Sequence, residues 1–445
     1  MSNKIIKRTR LKFNDVAGFL GRFATMIGEY GALFGEISTV HVGKRTKIRD
    51  IDLYVSDEET FDRICDEIRK MDGVDLIEVK DAVNEAHLDG KIEIHPRVDI
   101  ESIDDLSIVY TPGVASVCKK IEADPELKYK YTGIQNSVAI VTNGTAILGL
   151  GDIGAVAGMP VMEGKSLLFK ILSGVNGYPI LIENKDPEVV IQAVKAIAPT
   201  YGAIKLEDIK APECFEIEDR LDAELDIPVV HDDQHGTAVV VLSALLNIAQ
   251  YTYLNLKRAT VGIVGLGAAG MGISKLLRAY GIEKVYGTDI NEEAKERFAA
   301  LGCIPTDLNG VMKEARIVIA TTGVPGLIKA EMVQPKQVIL ALSNPNPEIS
   351  AEDALAAGAA YAADGRSVNN AVAFPGLFKG ALLARATHVN NAMKIAAATT
   401  IASFTMVGDL VPNILDPKLH QAVARAVEEA ALKTGVVKYV KSVPD

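Results

Sequence analysis

One segment, RATVGIVGLGAAGMGISKLLRAYG, constrains the fold of this chain more than any other. An apolar strand runs into a glycine turn at Gly265, Gly267 and Gly270, and a helical pattern leaves it. Glycines at this spacing permit a tight turn and let a pyrophosphate approach the N-terminus of the following helix. A second apolar run, KVYGTDIN, carries Asp289 about 20 residues further on, where a dinucleotide-binding unit needs an acid. Gly265, Gly267, Ala268, Ala269 and Gly270 would hold the pyrophosphate. Asp289 would accept hydrogen bonds from the ribose hydroxyls and repel a 2′-phosphate, which favours NAD over NADP. A unit of this kind commits its neighbours to a parallel, doubly wound sheet.

Two acidic pairs lie upstream. Glu207-Asp208 closes the strand-like run TYGAIKLED, and Asp232-Asp233 closes DIPVVHDD. Carboxylates at the ends of successive strands can converge on one hard divalent cation. Glu207, Asp208 and Asp233 would supply three oxygens, with substrate and water completing an octahedron. His231 and His235 flank the pairs and no cysteine pair is near, so Mg2+ or Mn2+ fits better than zinc. Solvated strand ends are the plainer reading, but four carboxylates are costly to cluster without a cation. A metal site beside a nicotinamide site suggests oxidation of a hydroxy acid whose product carbonyl the metal polarises.

Two further residues are candidates for proton transfer. Lys165 stands between PVMEG and the apolar run SLLF, where it could act as a base; taken alone, it reads as a surface cation. Tyr110 lies in VYTPGVA, where Pro112-Gly113 forces a turn that could expose its phenol; taken alone, it reads as a core tyrosine. A second glycine pattern, GLGDIG at Gly149–Gly154, lacks a carboxylate at the right distance and reads as a tight turn lining a substrate cleft.

The 445 residues suggest two or three domains, and 48% hydrophobic content is ample for their cores. A net charge of −11 argues against nucleic acid as a partner. The four cysteines are scattered, with no CxxC, which points to a reducing cytoplasm. The start MSNKIIKRTRLKF has a few charges but no apolar core of a secretory signal, and no 18-residue apolar run suggests a membrane span.

Residues 1–85 read as a separate unit. LKFND, FGEISTVHVG, TKIRDIDLYVS and VDLIEVKD are strands, and VAGFLGRFATMIGEYGA and EETFDRICDEIRKMDG are helices. The order βαββαβ is ferredoxin-like. It resembles an ACT domain, a small ligand-sensing module; a packing or dimerisation module is the alternative. Beyond a polar joint, 90–240 reads as an α/β catalytic domain and 241–385 as the Rossmann domain. Helices in 386–445 return to the catalytic part.

Together the motifs resemble the malic enzymes. VYTPGVA, ILGLGDIG, GMPVMEGK, LEDI, HDDQHGTA, GLGAAG, SNPNPE and NNAVAFPGL stand in that family's order, and the wording HDDQHGTA is similar to the short, prokaryotic branch. The resemblance implies divalent-metal-dependent oxidative decarboxylation of L-malate to pyruvate and CO2 with reduction of NAD, NADP being the less favoured cofactor. It implies Tyr110 as general acid, Lys165 as general base and Asp232 as its tuning partner. Glu207, Asp208 and Asp233 become metal ligands, and Asn344 and Asn370 become amides facing malate or the nicotinamide. Ala146 stands where larger family members carry an arginine, so the substrate carboxylate needs another cation or backbone donors. A small-metabolite effector at the first unit and a homodimer or higher homo-oligomer are also implied. Three rivals share parts of the pattern: a malolactic-type enzyme, a simple metal-assisted hydroxy-acid dehydrogenase and a non-enzymatic NAD sensor.

Overall fold

The computed structural model describes residues 5–147, 149–365, 368–406 and 408–438. Leu148 of the ILGLGDIG motif and the end of the C-terminal segment, 439–445, lie outside the described residues. The chain forms two compact units, Met1–Glu93 and Ile94–Asp445.

In the first unit, β1 (Ile5–Asn14), α1 (Phe19–Glu29), β2 (Leu33–Val42), β3 (Thr46–Val55), α2 (Glu58–Lys70) and β4 (Val74–Asp81) follow in the βαββαβ order. The sheet runs β2-β3-β1-β4 with antiparallel neighbours, the ferredoxin-like arrangement. Strand β1 is longer than LKFND because its charged residues belong to the ladder. Arg8 meets Asp52 at 2.7 and 2.9 Å, and Arg10 meets Asp50 at 2.7 and 2.8 Å, each pair forked and directly cross-strand. The alternate residues Leu11 and Phe13 are buried with Phe23, Ile51 and Ile64. Gly18, at φ 78°, turns the chain from β1 into α1. The polar joint that follows contains a short helix, Ala82–His87, capped by the Asp81 side chain.

The second unit opens with α3 (Ile103–Val109), whose Ser102 and Asp105 form a capping box. A four-stranded parallel sheet follows, in the order β6-β5-β7-β8, from β5 (Ser137–Thr142), β6 (Asn176–Leu181), β7 (Ala203–Leu206) and β8 (Val229–His231). Every residue of β5 and β7 is buried, as the near-continuous apolar runs require. The crossover helices are α4 (Met159–Ser173), α5 (Pro187–Ile197) and α6 (Glu213–Glu224).

Helix α7 (Asp232–Thr252) leaves β8 and carries a largely buried body into the next sheet. The acidic pair Asp232-Asp233 therefore begins a helix rather than ending a strand. Two carboxylates suit the first turn, where the helix dipole presents partial positive charge. Six parallel strands follow: β9 (Thr260–Val264), β10 (Lys284–Thr288), β11 (Ile304–Pro305), β12 (Ile317–Ala320), β13 (Val338–Ala341) and β14 (Tyr361–Asp364). Their order, β11-β10-β9-β12-β13-β14, is that of a doubly wound dinucleotide-binding sheet. Helix α8 (Ala268–Tyr280) starts at the glycine turn.

Of three last helices, α9 (Phe374–Ala384) and α11 (Pro417–Thr434) return to α4 beside the first sheet of this unit, and α10 (Asn391–Ser403) packs on α7, α8 and α11. The junction is aromatic: Phe169 of α4 packs edge-on against Phe374 at 4.8 Å and Phe378 at 5.4 Å. Among the described residues no helix is long and apolar enough to cross a membrane.

Candidate active site

The C-terminal ends of β7 and β8 and the first turn of α7 put four carboxylates and two amines into one buried cluster. Glu207, Asp208 and Asp233 each offer an oxygen within 4.8 Å of the others. The Asp208 amide donates to Asp233 Oδ2 at 3.1 Å, which ties the two strand ends together. Asp208 itself has φ 53°, a left-handed conformation that costs most residues about 1 kcal/mol or more. Burial first, and the neighbouring Asp233 second, push the Asp208 carboxyl up to about 7. Among the described residues a buried oxygen of Asp208 lacks a hydrogen-bond donor. Backbone strain, a raised pKa and an orphaned acceptor meet at Asp208, and the three hard carboxylates could hold a cation such as Mg2+ or Mn2+.

Lys165, from the second turn of α4, reaches into the same cluster. Its Nζ donates to Asp232 Oδ2 at 3.0 Å and to Asn370 Oδ1 at 3.1 Å, and pairs with Glu207 Oε1 at 3.0 Å. Asn370 also donates through Nδ2 to Asp232 Oδ2 at 2.8 Å, so both ends of its amide are engaged inside the cluster. Gly236 leaves room for this: a Cβ there would lie 2.1 Å from Asp232 Oδ1. The Phe374 ring closes the back of the cluster, 5.0 Å from the Lys165 amine.

A second amine escaped the sequence reading. Lys205 is fully buried on β7, pairs with Glu207, and lies 3.0 Å from Asp232 Oδ2 and 4.8 Å from the Phe374 ring. Burial lowers its pKa to about 8, against the pull of Asp232. Asp232 is disfavoured by its own burial, but Lys205 and Lys165 outweigh that and hold its pKa below the usual range. Four carboxylates facing two amines leave an excess of two negative charges, which one divalent cation would balance.

Behind the cluster Glu218 anchors the turn that bears the acidic pair. It accepts from the His231 amide at 2.6 Å and the Gln234 side chain at 2.7 Å, and pairs with His235 at 3.0 Å. His235 in turn meets Lys394 of α10 at 2.9 Å. Burial alone would raise the Glu218 pKa, yet His235 brings it down to about 2.

The other predicted residues lie apart. Tyr110 caps the C-terminus of α3 with its side chain 66% exposed, and among the described residues it makes no hydrogen bond to the cluster. Ala146 donates its amide to the Asp208 carbonyl at 2.9 Å. Asn344 is exposed, with its carbonyl against the second glycine pattern, 3.2 Å from where a Cβ on Gly149 would stand. Its loop is pinned by buried Glu348, which accepts from Thr322 and Ser343.

At the nucleotide end Gly267 caps α8 and faces open space, while a Cβ on Gly270 would strike the Gly265 carbonyl. Ala268 and Ala269 form the first turn of α8. Asp289 Oδ2 accepts from the Leu266 amide at 2.7 Å, and Oδ1 from Asn291 at 2.9 Å. Each carboxylate oxygen keeps a free lone pair for a ribose hydroxyl. Helix α8 also abuts the acidic first turn of α7: a Cβ on Gly272 would lie 2.3 Å from the Gln234 carbonyl oxygen.

Residues 89–188 and 183–222 match the malic enzyme N-terminal domain, and 241–329 match the NAD-binding domain of D-isomer specific 2-hydroxyacid dehydrogenases. NAD-dependent malic enzyme 1 of Bacillus subtilis (strain 168) is 52% identical over 434 residues, covering 97% of this chain and 99% of its own. The chain belongs to the malic enzyme family. Another member, the NAD-dependent malic enzyme of Geobacillus stearothermophilus, is 42% identical over 96% of this chain and 95% of its own. Among solved malic enzymes, that of Pyrococcus horikoshii Ot3 superposes with a TM-score of 0.75 at 40% identity, over 80% of this chain and 92% of the other. The NAD-dependent malic enzyme of Thermotoga maritima gives 0.74 at 38% identity, over 78% of this chain and 99% of the other. The fold class expected from the sequence, α/β with a ferredoxin-like first unit, is therefore that of a malic enzyme carrying an additional N-terminal unit.

Proposed function

We propose that this malic enzyme converts L-malate and NAD into pyruvate, CO2 and NADH at the Lys165 cluster, with Mg2+ or Mn2+ held by Glu207, Asp208 and Asp233. The observation that carries the reading is the Lys165 amine, fixed by Asp232, Glu207 and Asn370 beside three convergent carboxylates. A bound divalent cation supplies Lewis acidity, favouring loss of the C2 hydroxyl proton and steadying negative charge as CO2 leaves. NAD supplies the hydride acceptor for C2.

The chain's own groups then divide the proton work. Lys165 takes the proton of the C2 hydroxyl at Nζ, and Asp232 and Asn370 fix the direction of that nitrogen. Loss of the C2 hydride gives oxaloacetate. Its C3–C4 bond breaks, CO2 departs, and the electron pair remains as an enolate of pyruvate. Tyr110 returns a proton to C3. Asn344, on the loop that faces the second glycine pattern, contributes its amide to malate or the nicotinamide. Incubation with L-malate, Mn2+ and NAD, following NADH and CO2 together and identifying the acid formed, tests the assignment. Pyruvate with equal NADH and CO2 is expected; lactate without net NADH, or NADH without CO2, would refute it.

The Rossmann end favours NAD. Asp289 places a carboxylate where the adenosine ribose binds, and fully exposed Ile290 beside it offers an apolar face to the adenine. Asp289→Ser is expected to raise the ratio of NADP to NAD kcat/KM by about tenfold or more, since it removes the repulsion of a 2′-phosphate. A wild-type enzyme that already prefers NADP would contradict this role.

Lys205 is assigned a structural charge, compensating Glu207 and Asp232 when no cation is present. Removing one partner from a buried ionic cluster typically costs about 3–5 kcal/mol. Lys205→Met is therefore expected to lower the melting temperature of metal-free protein markedly, and to lower it less in saturating Mn2+. Equal losses with and without Mn2+ would show that Lys205 does not share its partners with a cation.

The first unit carries the ACT-like sensing reading, with a small metabolite as effector, and the enzyme is read as a cytoplasmic homodimer or higher oligomer. Ile94, Val98, Ile100, Ile103 and Ile108, close together in the sequence of the second unit, are all exposed, which suits a subunit contact. A chain starting near Lys91 should still oxidise malate yet lose its response to a metabolite. If a broad metabolite screen leaves the full-length kinetics and melting temperature unchanged, and truncation lowers the assembly mass, the unit is a dimer contact instead.

A further inference from the structure

A cavity of about 370 Å³ opens at the far edge of the catalytic sheet, lined by Arg97, Tyr129, Lys130, Asn136, Asn176 and Lys379 among others. Its position separates it from the chemistry. Asn136 immediately precedes β5 and Asn176 opens β6, so the cavity lies at the N-terminal ends of these strands. The acidic pairs follow the C-terminal ends of β7 and β8, parallel neighbours in the same sheet. A six-residue strand spans about 20 Å, so a molecule in this cavity is not the malate that Lys165 would act on.

Its charge is one-sided. The lining holds two lysines and an arginine and no carboxylate, in a chain whose net charge is −11. The lysine on α9 is the centre of the arrangement. Lys379 Nζ donates to the neutral Asn136 Oδ1 at 3.0 Å, and among the described residues no carboxylate lies within ion-pair distance of it. Asn136 is itself fixed, donating through Nδ2 to the Gly174 carbonyl at 2.8 Å, and Lys170 holds the Asn176 amide oxygen at 2.8 Å. Burial lowers the Lys379 pKa, which marks an ammonium taken partly out of water with no compensating anion. Most other half-buried cations here have carboxylate partners, as Arg8, Arg10 and Lys7 do.

We propose that this cavity binds a small multivalent anion, bearing a phosphate group or two carboxylates, at a site separate from the substrate. Three cations lining one cavity together with amide and hydroxyl groups match such a ligand in charge and in hydrogen bonding. The volume is at the lower end of ligand pockets, which suits a compact metabolite better than a dinucleotide. Helix α9 gives the ligand a short connection to the reaction, because Phe374, five residues before Lys379, lies against the amines of both Lys165 and Lys205.

Calorimetric titration of inorganic phosphate, and separately of succinate, into the metal-free full-length protein tests this. At least one probe is expected to bind the wild type with a Kd of about 1 mM or tighter. Lys379→Gln should weaken that binding about tenfold or more, Lys379→Arg should restore most of it, and Asp208→Asn should leave it unchanged. Phosphate alone binding identifies a phosphorylated ligand, and succinate alone a dicarboxylate. No binding of either probe at about 10 mM overturns the proposal, as does equal binding by Lys379→Gln with unaltered NAD affinity. Since no turnover is measured, this outcome and that of the malate assay stand independently.

Discussion

Asp208→Asn should leave a folded, NAD-binding protein with almost no turnover of malate. Asparagine is the informative replacement because position 208 has φ 53°, a conformation asparagine tolerates and alanine does not. The substitution removes one of three convergent charges while keeping the shape of the site. A loss in kcat/KM of about 10³-fold or more is expected if the carboxylate holds an essential cation. Stability should move the other way. In the metal-free protein, burial and Asp233 make an ionised Asp208 unfavourable, so a neutral amide should not lower the melting temperature and can raise it. Stabilisation by Mn2+ should shrink at the same time, because fewer ligands bind the native state. Full activity in Asp208→Asn, with chelator-insensitive rates in the parent, would remove the metal assignment.

Lys165→Ala is the second large effect. General acid–base groups typically contribute about 10²- to 10⁴-fold, and loss of this amine should reduce malate oxidation by that order. Reduction of added oxaloacetate should fall equally, since it crosses the same proton transfer in reverse. Decarboxylation of oxaloacetate needs no hydroxyl deprotonation and should survive in part. Tyr110→Phe should produce a different pattern: exchange of pyruvate C3 protons in deuterated water should slow, with oxaloacetate reduction less affected. If both variants fail alike in every assay, the separation of base and acid between the two residues is wrong.

The parts legible in the sequence were those set by local rules. Gly265, Gly267 and Gly270 with Asp289 form one continuous βαβ segment, so spacing alone carried the geometry. The acidic pairs were legible because strand ends in a parallel sheet share an edge. Lys205 was not, since a single lysine inside an apolar strand shows its purpose only when Asp232 and Phe374 arrive from α7 and α9 to join it and Glu207. Glu218 and Lys394 were missed for the same reason: their meeting point, His235, lies between helices far apart in the chain. The length of β1 was underestimated because charged residues that lower apparent strand character are paired across the sheet. The turn at Pro112-Gly113 was expected to expose the Tyr110 phenol, and Tyr110, at the C-cap of α3, is exposed rather than a core tyrosine; its role as acid rested on the family pattern, because VYTPGVA does not say what the phenol faces.

The contact between Gly272 and the Gln234 backbone bears on how such enzymes can be rebuilt. Nucleotide-binding domains are often treated as cassettes that can be exchanged to alter cofactor use. Here the cassette meets the acidic turn that opens α7 main chain to main chain, with no side chain between them to absorb a misfit. A transplanted domain lacking glycine at this place would push on Gln234, and through it on Asp232 and Asp233. Cofactor engineering in this architecture is therefore better confined to the far rim around Asp289, leaving the seam intact.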